Sequence, residues 1–239
     1  MEIRRSASRG HANHGWLDSY HSFSFNRYYD PARMEFSVLR VINEDVIAPN
    51  QGFGMHPHQD MEIITYILGG ELAHQDSLGN GSVIKAGDVQ RMTAGTGIVH
   101  AEMNPSKTEE SYLLQIWLKP SVKGLSPSYE DKHIDLARKL NRWCLIASND
   151  AREDSLLIHQ DVSLWATYLE ADKTLAYHVP QDRSLYIQVA KGEVSINGIL
   201  LAQGDALAVE EAPEIITLKA EDNTEVLIFD LPKHQYSQC

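Results

Sequence analysis

Two short motifs carry the chemistry in this sequence. His56-Pro57-His58 sets two imidazoles two residues apart, and His100-Ala101-Glu102 repeats the spacing with an imidazole and a carboxylate. Side chains alternate between the faces of an extended strand, so each pair projects to one face. Brought together, His56, His58, His100 and Glu102 make a set of three nitrogens and one oxygen. Neutral imidazoles with a carboxylate suit a divalent transition metal, Fe(II), Ni, Co, Mn, Cu or Zn, rather than Mg or Ca, which take oxygen ligands. Spacing does not choose among the former. An ion that expands to five or six ligands keeps positions open beyond these four, which is what separates a catalytic ion from a structural one. Glu62 competes for the carboxylate place, because positions 56, 58, 60 and 62 share strand parity.

An isolated His-X-His is more often a surface turn than a site. The second pair gives the first its weight, because it follows the turn Ala94-Gly95-Thr96-Gly97, whose glycines let a strand swing inward. His11, His14, His21, His74, His133, His159 and His234 have no partner at ligand spacing and are expected to make ordinary hydrogen bonds or face solvent.

The elements that position these motifs read as strands. Short β-like runs recur at Phe36 to Ile42, Ile63 to Leu68, Leu113 to Leu118, Leu164 to Leu169, Leu185 to Val189 and Val226 to Phe229. An all-β fold is expected. Asn197-Gly198 between two apolar runs predicts a tight hairpin, because both residues tolerate positive φ, and Leu78-Gly79-Asn80-Gly81 reads similarly. A short helix is expected within Glu130 to Leu140, ahead of a strand from Trp143 to Ala147.

An internal repeat divides the chain. Tyr66-Ile67-Leu68-Gly69-Gly70-Glu71 aligns with Gln188-Val189-Ala190-Lys191-Gly192-Glu193, and Gly87-Asp88 with Gly204-Asp205. On that alignment His178 stands opposite His56, but Pro180 opposite His58, Thr217 opposite His100 and Lys219 opposite Glu102. The second copy keeps the turns and loses the ligands, so a second metal is not expected. Pro120, Gly124 and Pro127 mark the join. The expected organisation is an N-terminal metal-binding β-barrel over 1–120, a connecting segment over 121–132, and a C-terminal barrel over 133–239.

Composition narrows the function classes. With Lys plus Arg at 21 against 33 Asp plus Glu, the net charge of −12 disfavours direct binding to nucleic-acid phosphates. The start lacks an apolar leader and no run approaches the roughly 18 apolar residues that span a bilayer, so neither export nor a membrane partner is expected. Cys144 and Cys239 are the only cysteines and make no disulfide framework, as expected of a cytoplasmic protein.

The run Gly54 to Glu62, the later Gly87 to His100, and Asn104 beyond it resemble the two cupin motifs. More specifically, Ser22-Phe23-Ser24-Phe25, Tyr28-Tyr29-Asp30-Pro31, Leu39-Arg40-Val41, Asn43-Glu44-Asp45, His100-Ala101-Glu102-Met103-Asn104 and Gln115-Ile116-Trp117-Leu118 resemble the pirin family, with a looser match at Phe229-Asp230-Leu231-Pro232. The resemblance implies two cupin, jelly-roll type β-barrels in one chain. It implies an iron-type site in the first, at the positions of His56, His58, His100 and Glu102, and a second barrel without ligands. It implies a quercetin 2,3-dioxygenase-like oxidoreductase that uses O2 to cleave a flavonol with loss of carbon monoxide, Glu102 being the catalytic group that accepts the 3-hydroxyl proton. The alternative it carries is a metal-dependent, redox-responsive regulator that binds a protein partner, as vertebrate members do. An oxygen-independent metal enzyme such as an isomerase is a third reading, since the fold hosts many reactions. A monomer is expected. Phe53, Met92, Ile98 and Trp117 are the apolar residues near the ligand strands that could line an aromatic pocket, although each taken singly is more often core packing and none is assigned to the site.

Overall fold

The computed structural model describes residues 1–211 and 213–233; His234 and Cys239 lie outside them. Strand Glu62–Gly69 shows why the chain makes layers. Ile63 and Ile67 face one side, Ile64, Tyr66 and Leu68 the other, and every one of them is buried. A strand apolar on both faces needs a layer above and below it.

Those layers are four sheets. The first large sheet has seven strands in the order Ser128–His133, Asp88–Thr93, Glu62–Gly69, Ser111–Leu118, Leu39–Ile47, Leu17–His21, Gly10–Asn13. Against it lies a four-stranded sheet, Gly52–His58, Ile98–Met103, Glu71–Asp76, Gly81–Lys85. The second half repeats the plan with a seven-stranded sheet running from Glu2–Arg4 to Leu156–Leu157 and a four-stranded one from Thr174–His178 to Ile199–Ala202. The two large sheets pack back to back: Ile42, Ile64, Leu114 and Ile116 meet Ile146, Leu164, Tyr186 and Phe229 in one core. Smaller cores join each large sheet to its small partner, through Ile47, Ile67, Leu113, Leu72 and Ile84 in the first half.

The expectation of two β-barrels is therefore corrected. In every sheet hydrogen bonding stops at two edge strands among the described residues, so none closes into a barrel. Closure requires strand tilt and stagger to match all the way round. Here the two sheets of each half are held instead by interdigitated apolar side chains, the double-sheet solution of a jelly roll.

The expected helix shrinks to one turn, Leu136–Lys139, because the residues before it, Ser128–His133, pair with Asp88–Thr93 as an edge strand. The segment 121–132 thus contributes to the first large sheet. The opening strand Glu2–Arg4 crosses over to pair with Ala206–Val209 in the second half. Lys139 ties the halves further: its ammonium contacts the Glu225 carboxylate and lies 2.7 Å from the Tyr66 hydroxyl, all three groups buried.

The hairpin at Asn197-Gly198 forms as expected, with φ of 47° and 82° at the two turn residues. Gly70 and Gly192, aligned in the repeat, hold φ of 67° and 76° at equivalent turns, and a Cβ on Gly70 would run into the Glu110 carbonyl. Gly70→Ala is therefore expected to cost at least about 1–3 kcal/mol, the range for strained left-handed backbone. Chemical unfolding of the two proteins side by side measures it.

Candidate metal centre

The small sheet of the first half gathers the two motifs. Ile98–Met103 runs between Gly52–His58 and Glu71–Asp76, with His100 opposite His56 on one side and Asp76 on the other. Glu102 stands opposite Phe53 and His74. The register slips by one residue between those rows, a bulge at Gly54-Met55, and this turns Phe53 to the same side as His56 and His58. The His56 and His100 ring centroids are 4.4 Å apart, and His58 lies 4.9 Å from His100.

Two overlapping groups result, each with its ligand atoms within 4.8 Å of one another: His56, His58 and His100, and His74, His100 and Glu102. His100 belongs to both, whereas no group of that span among the described residues joins His56 to Glu102. Glu62 is directed elsewhere. Its Oε2 accepts from Thr93 Oγ1 at 3.0 Å and from the His159 backbone N–H at 3.2 Å.

The donors fit a transition-metal ion. His100 is buried, and neither of its ring nitrogens has a hydrogen-bond partner. Such orphaned polar atoms are rare in a folded interior and call for a ligand. The His56 ring donates from Nδ1 to the Gly54 carbonyl at 2.8 Å, which leaves Nε2 with a free lone pair. Burial, aided by neighbouring imidazoles, pushes the His58 pKa down to about 4 and that of His100 down to about 3. Both are lowered, so the neutral, ligating form persists well below the ordinary titration near 6.5. In metal-free protein the ring resonances of these two residues are expected to stay unchanged from pH 8 to pH 5 in an NMR titration, over which an exposed histidine titrates completely.

Glu102 is held by the opposing sheet. Gln90 Nε2 donates to Oε1 at 2.7 Å, Gln115 Nε2 to Oε2 at 2.8 Å, and Thr65 Oγ1 lies 3.2 Å from Oε1. These residues belong to one row. His21, Asn43, Gln115, Thr65 and Gln90 are successive cross-strand partners over five adjacent strands. Tyr129 donates to Gln90 Oε1 at 3.1 Å and so fixes which end of that amide faces Glu102. Burial raises the Glu102 pKa, against the lowering effect of His74 and these donors. Gln90→Leu is expected to weaken metal binding roughly 10–100-fold, the usual cost of losing an outer partner of a ligand. A competition titration against a chelator reads it out.

A cavity of about 800 Å³ opens beside the motifs and is bounded by His56, His58 and Glu102 on one flank. Of the four apolar residues weighed as pocket lining or core, Phe53 and Trp117 line the cavity, and Trp117 meets the His58 ring edge-on at 4.9 Å. Met92 and Ile98 are instead packed with Ile63 and Ala94 in the core. Trp16, Phe25 and Tyr28 add aromatic wall.

Sequence reasoning missed His74, which the antiparallel register alone sets beside Glu102, and His11, His14 and His21, which reach the cavity from two strands far upstream. Nothing in local spacing marks them. In the second half His178 is exposed at the end of its strand and faces Ile215 across the pair.

Known proteins resemble this chain over almost its whole length. The pirin family model matches residues 2–118, and the quercetinase C-terminal cupin domain model matches residues 145–231. Quercetin 2,3-dioxygenase of Escherichia coli (strain K12) is 49% identical over 230 residues, 96% of this chain and 98% of that protein. A pirin-like protein of Caulobacter vibrioides is 41% identical over 222 residues, 92% of this chain and 95% of that one. The crystal structure of the bacterial pirin YhhW from Escherichia coli in complex with nickel(II) superposes with a TM-score of 0.91 at 48% identity, covering 97% of this chain and 98% of that chain. With relatives this similar along almost its whole length, the chain belongs to the pirin family.

Proposed function

We propose that this protein is a metal-dependent dioxygenase that cleaves flavonols of the quercetin type with O2, using one divalent transition metal, Fe(II), held by His56, His58, His100 and Glu102. The observation that carries it is His100, a buried ring with two unpartnered nitrogens, clustered with His56 and His58, which line an aromatic cavity. Cavities of this volume commonly take a small molecule in mainly apolar surroundings. Similarity to the Escherichia coli quercetin 2,3-dioxygenase supports the substrate class, and the nickel(II) complex of YhhW supports a transition metal.

The proposed set follows the two motifs and leaves out His74, which stands opposite Glu102 with its Nε2 3.2 Å from Asp76 Oδ2. When bound, the ion supplies positive charge that favours the oxyanion of the flavonol 3-hydroxyl, together with redox access to O2. The chain does the rest. Phe53, Trp16 and Trp117 give flat apolar walls that orient the rings and exclude water. Glu102 accepts the 3-hydroxyl proton, and Gln90 and Gln115 hold the carboxyl in place as the charge changes.

In this reading the unit over 1–120 holds the ion, 121–132 joins while its end from Ser128 extends the first large sheet, and 133–239 is a counterpart without ligands. The enzyme acts as a cytoplasmic monomer on a soluble aromatic, with neither nucleic acid nor membrane as partner. Among the described residues no helix is long and apolar enough to cross a membrane. The reading is tested by following quercetin with and without oxygen while measuring carbon monoxide. Consumption that needs O2 and releases CO is expected; a metal-loaded protein that leaves quercetin intact under oxygen would refute it.

A further inference from the structure

The cavity has a second polar flank that the proposed chemistry does not use. Ser19 and Asp45 are cross-strand partners, as are His21 and Asn43, and all four are buried side chains on the cavity wall. Ser19 donates to Asp45 Oδ1, and the His21 ring nitrogen Nδ1 lies 2.9 Å from Asn43 Oδ1. Trp16, Phe25, Phe53 and Trp117 belong to the same cavity, so its polar groups are set in aromatic wall.

These groups have unused hydrogen-bonding capacity. A carboxylate offers about four acceptor sites, yet among the described residues Ser19 is the one group that hydrogen-bonds Asp45. His21 Nε2 likewise has no hydrogen-bond partner among them, and both residues line the cavity. The charges around the flank select the guest. Asp45 and Glu102 disfavour an anion, and the Arg9 guanidinium near His21 disfavours a cation. A neutral donor remains, and between aromatic walls that is a phenolic hydroxyl.

We infer that Ser19, His21, Asn43 and Asp45 form a second substrate anchor, in which Asp45 accepts a hydrogen bond from a hydroxyl on a ring remote from the metal-held one. The anchor rests on the dioxygenase reading and makes the enzyme selective for polyhydroxylated flavonols. Burial supports it by pushing the Asp45 pKa up to about 7, so that the carboxyl shares a proton readily with a phenol. Asp45 is here a specificity residue; the reacting carbons are handled at the other flank.

The test is anaerobic binding to metal-loaded protein of quercetin, of 3-hydroxyflavone, and of two quercetin analogues, one lacking the catechol hydroxyls and one lacking the hydroxyls of the fused ring. The wild type is expected to bind quercetin roughly 10- to 100-fold more tightly than 3-hydroxyflavone, the worth of a hydrogen bond to a charged group. Asp45→Leu is expected to collapse that ratio, and His21→Phe, a flat ring for a flat ring, to narrow it. The analogue that behaves like 3-hydroxyflavone identifies the anchored ring. An unchanged ratio in both variants, with both flavonols bound and cleaved, overturns the anchor and leaves the dioxygenase reading standing. A wild type that neither binds nor cleaves any of them overturns both.

Discussion

His100→Ala is expected to strip the metal and abolish oxygen-dependent quercetin loss while the protein stays folded. The ring packs with those of His56 and His58, and both of its nitrogens are buried without a partner, so its removal deprives no other protein group of a hydrogen bond. Its loss also breaks the one residue common to the two ligand groups. Metal affinity should therefore fall by more than the roughly 10–100-fold that an outer partner costs. Element analysis and circular dichroism of the variant, read together with turnover, check the result. Metal retained at wild-type stoichiometry would place the ion elsewhere.

The second large effect is on stability. Lys139 and Glu225 are a buried ion pair, with Tyr66 of the other half donating to the same carboxylate at 2.5 Å. Burial and that carboxylate together push the Tyr66 pKa well up, so the hydroxyl keeps its proton for the bond. Glu225→Ala leaves the ammonium and the hydroxyl buried without their acceptor, which should cost about 3–5 kcal/mol. For a chain of this size that lowers Tm by roughly 6–20 °C. Replacing the pair together, Lys139→Met with Glu225→Leu, is expected to recover most of the loss, because well-packed apolar groups often match a buried pair. A thermal melt of the single and double variants distinguishes the two. If Glu225→Ala melted with the wild type, the contact would carry no weight between the halves.

What could be read from sequence follows the physics of each signal. His56, His58, His100 and Glu102 could be singled out as candidates because strand parity of two turns a two-residue spacing into a shared face. The repeat was visible because Gly70 and Gly192 answer the same demand for positive φ. The Asn197-Gly198 hairpin was visible for the same reason. Sheet closure was not. Apolar strands do not say whether their neighbours are joined by hydrogen bonds or by packing, and here packing does it. The strand Ser128–His133 hid because SYEDKH is polar, as an edge strand is allowed to be. Gln90, Gln115 and Thr65 hid because nothing in their own strands singles them out, and only the register aligns them beneath Glu102. The same holds for His74 and for the Ser19–Asp45 flank.

The central claim is that turnover belongs to an ion held at His100 and its neighbours. The most direct measurement is metal content against quercetin turnover in protein purified without chelators, stripped, and reloaded in steps with Fe(II). The account predicts saturation at one ion per chain and turnover proportional to occupancy. Turnover unchanged in the stripped protein, or absent in the fully loaded protein under oxygen, would contradict it.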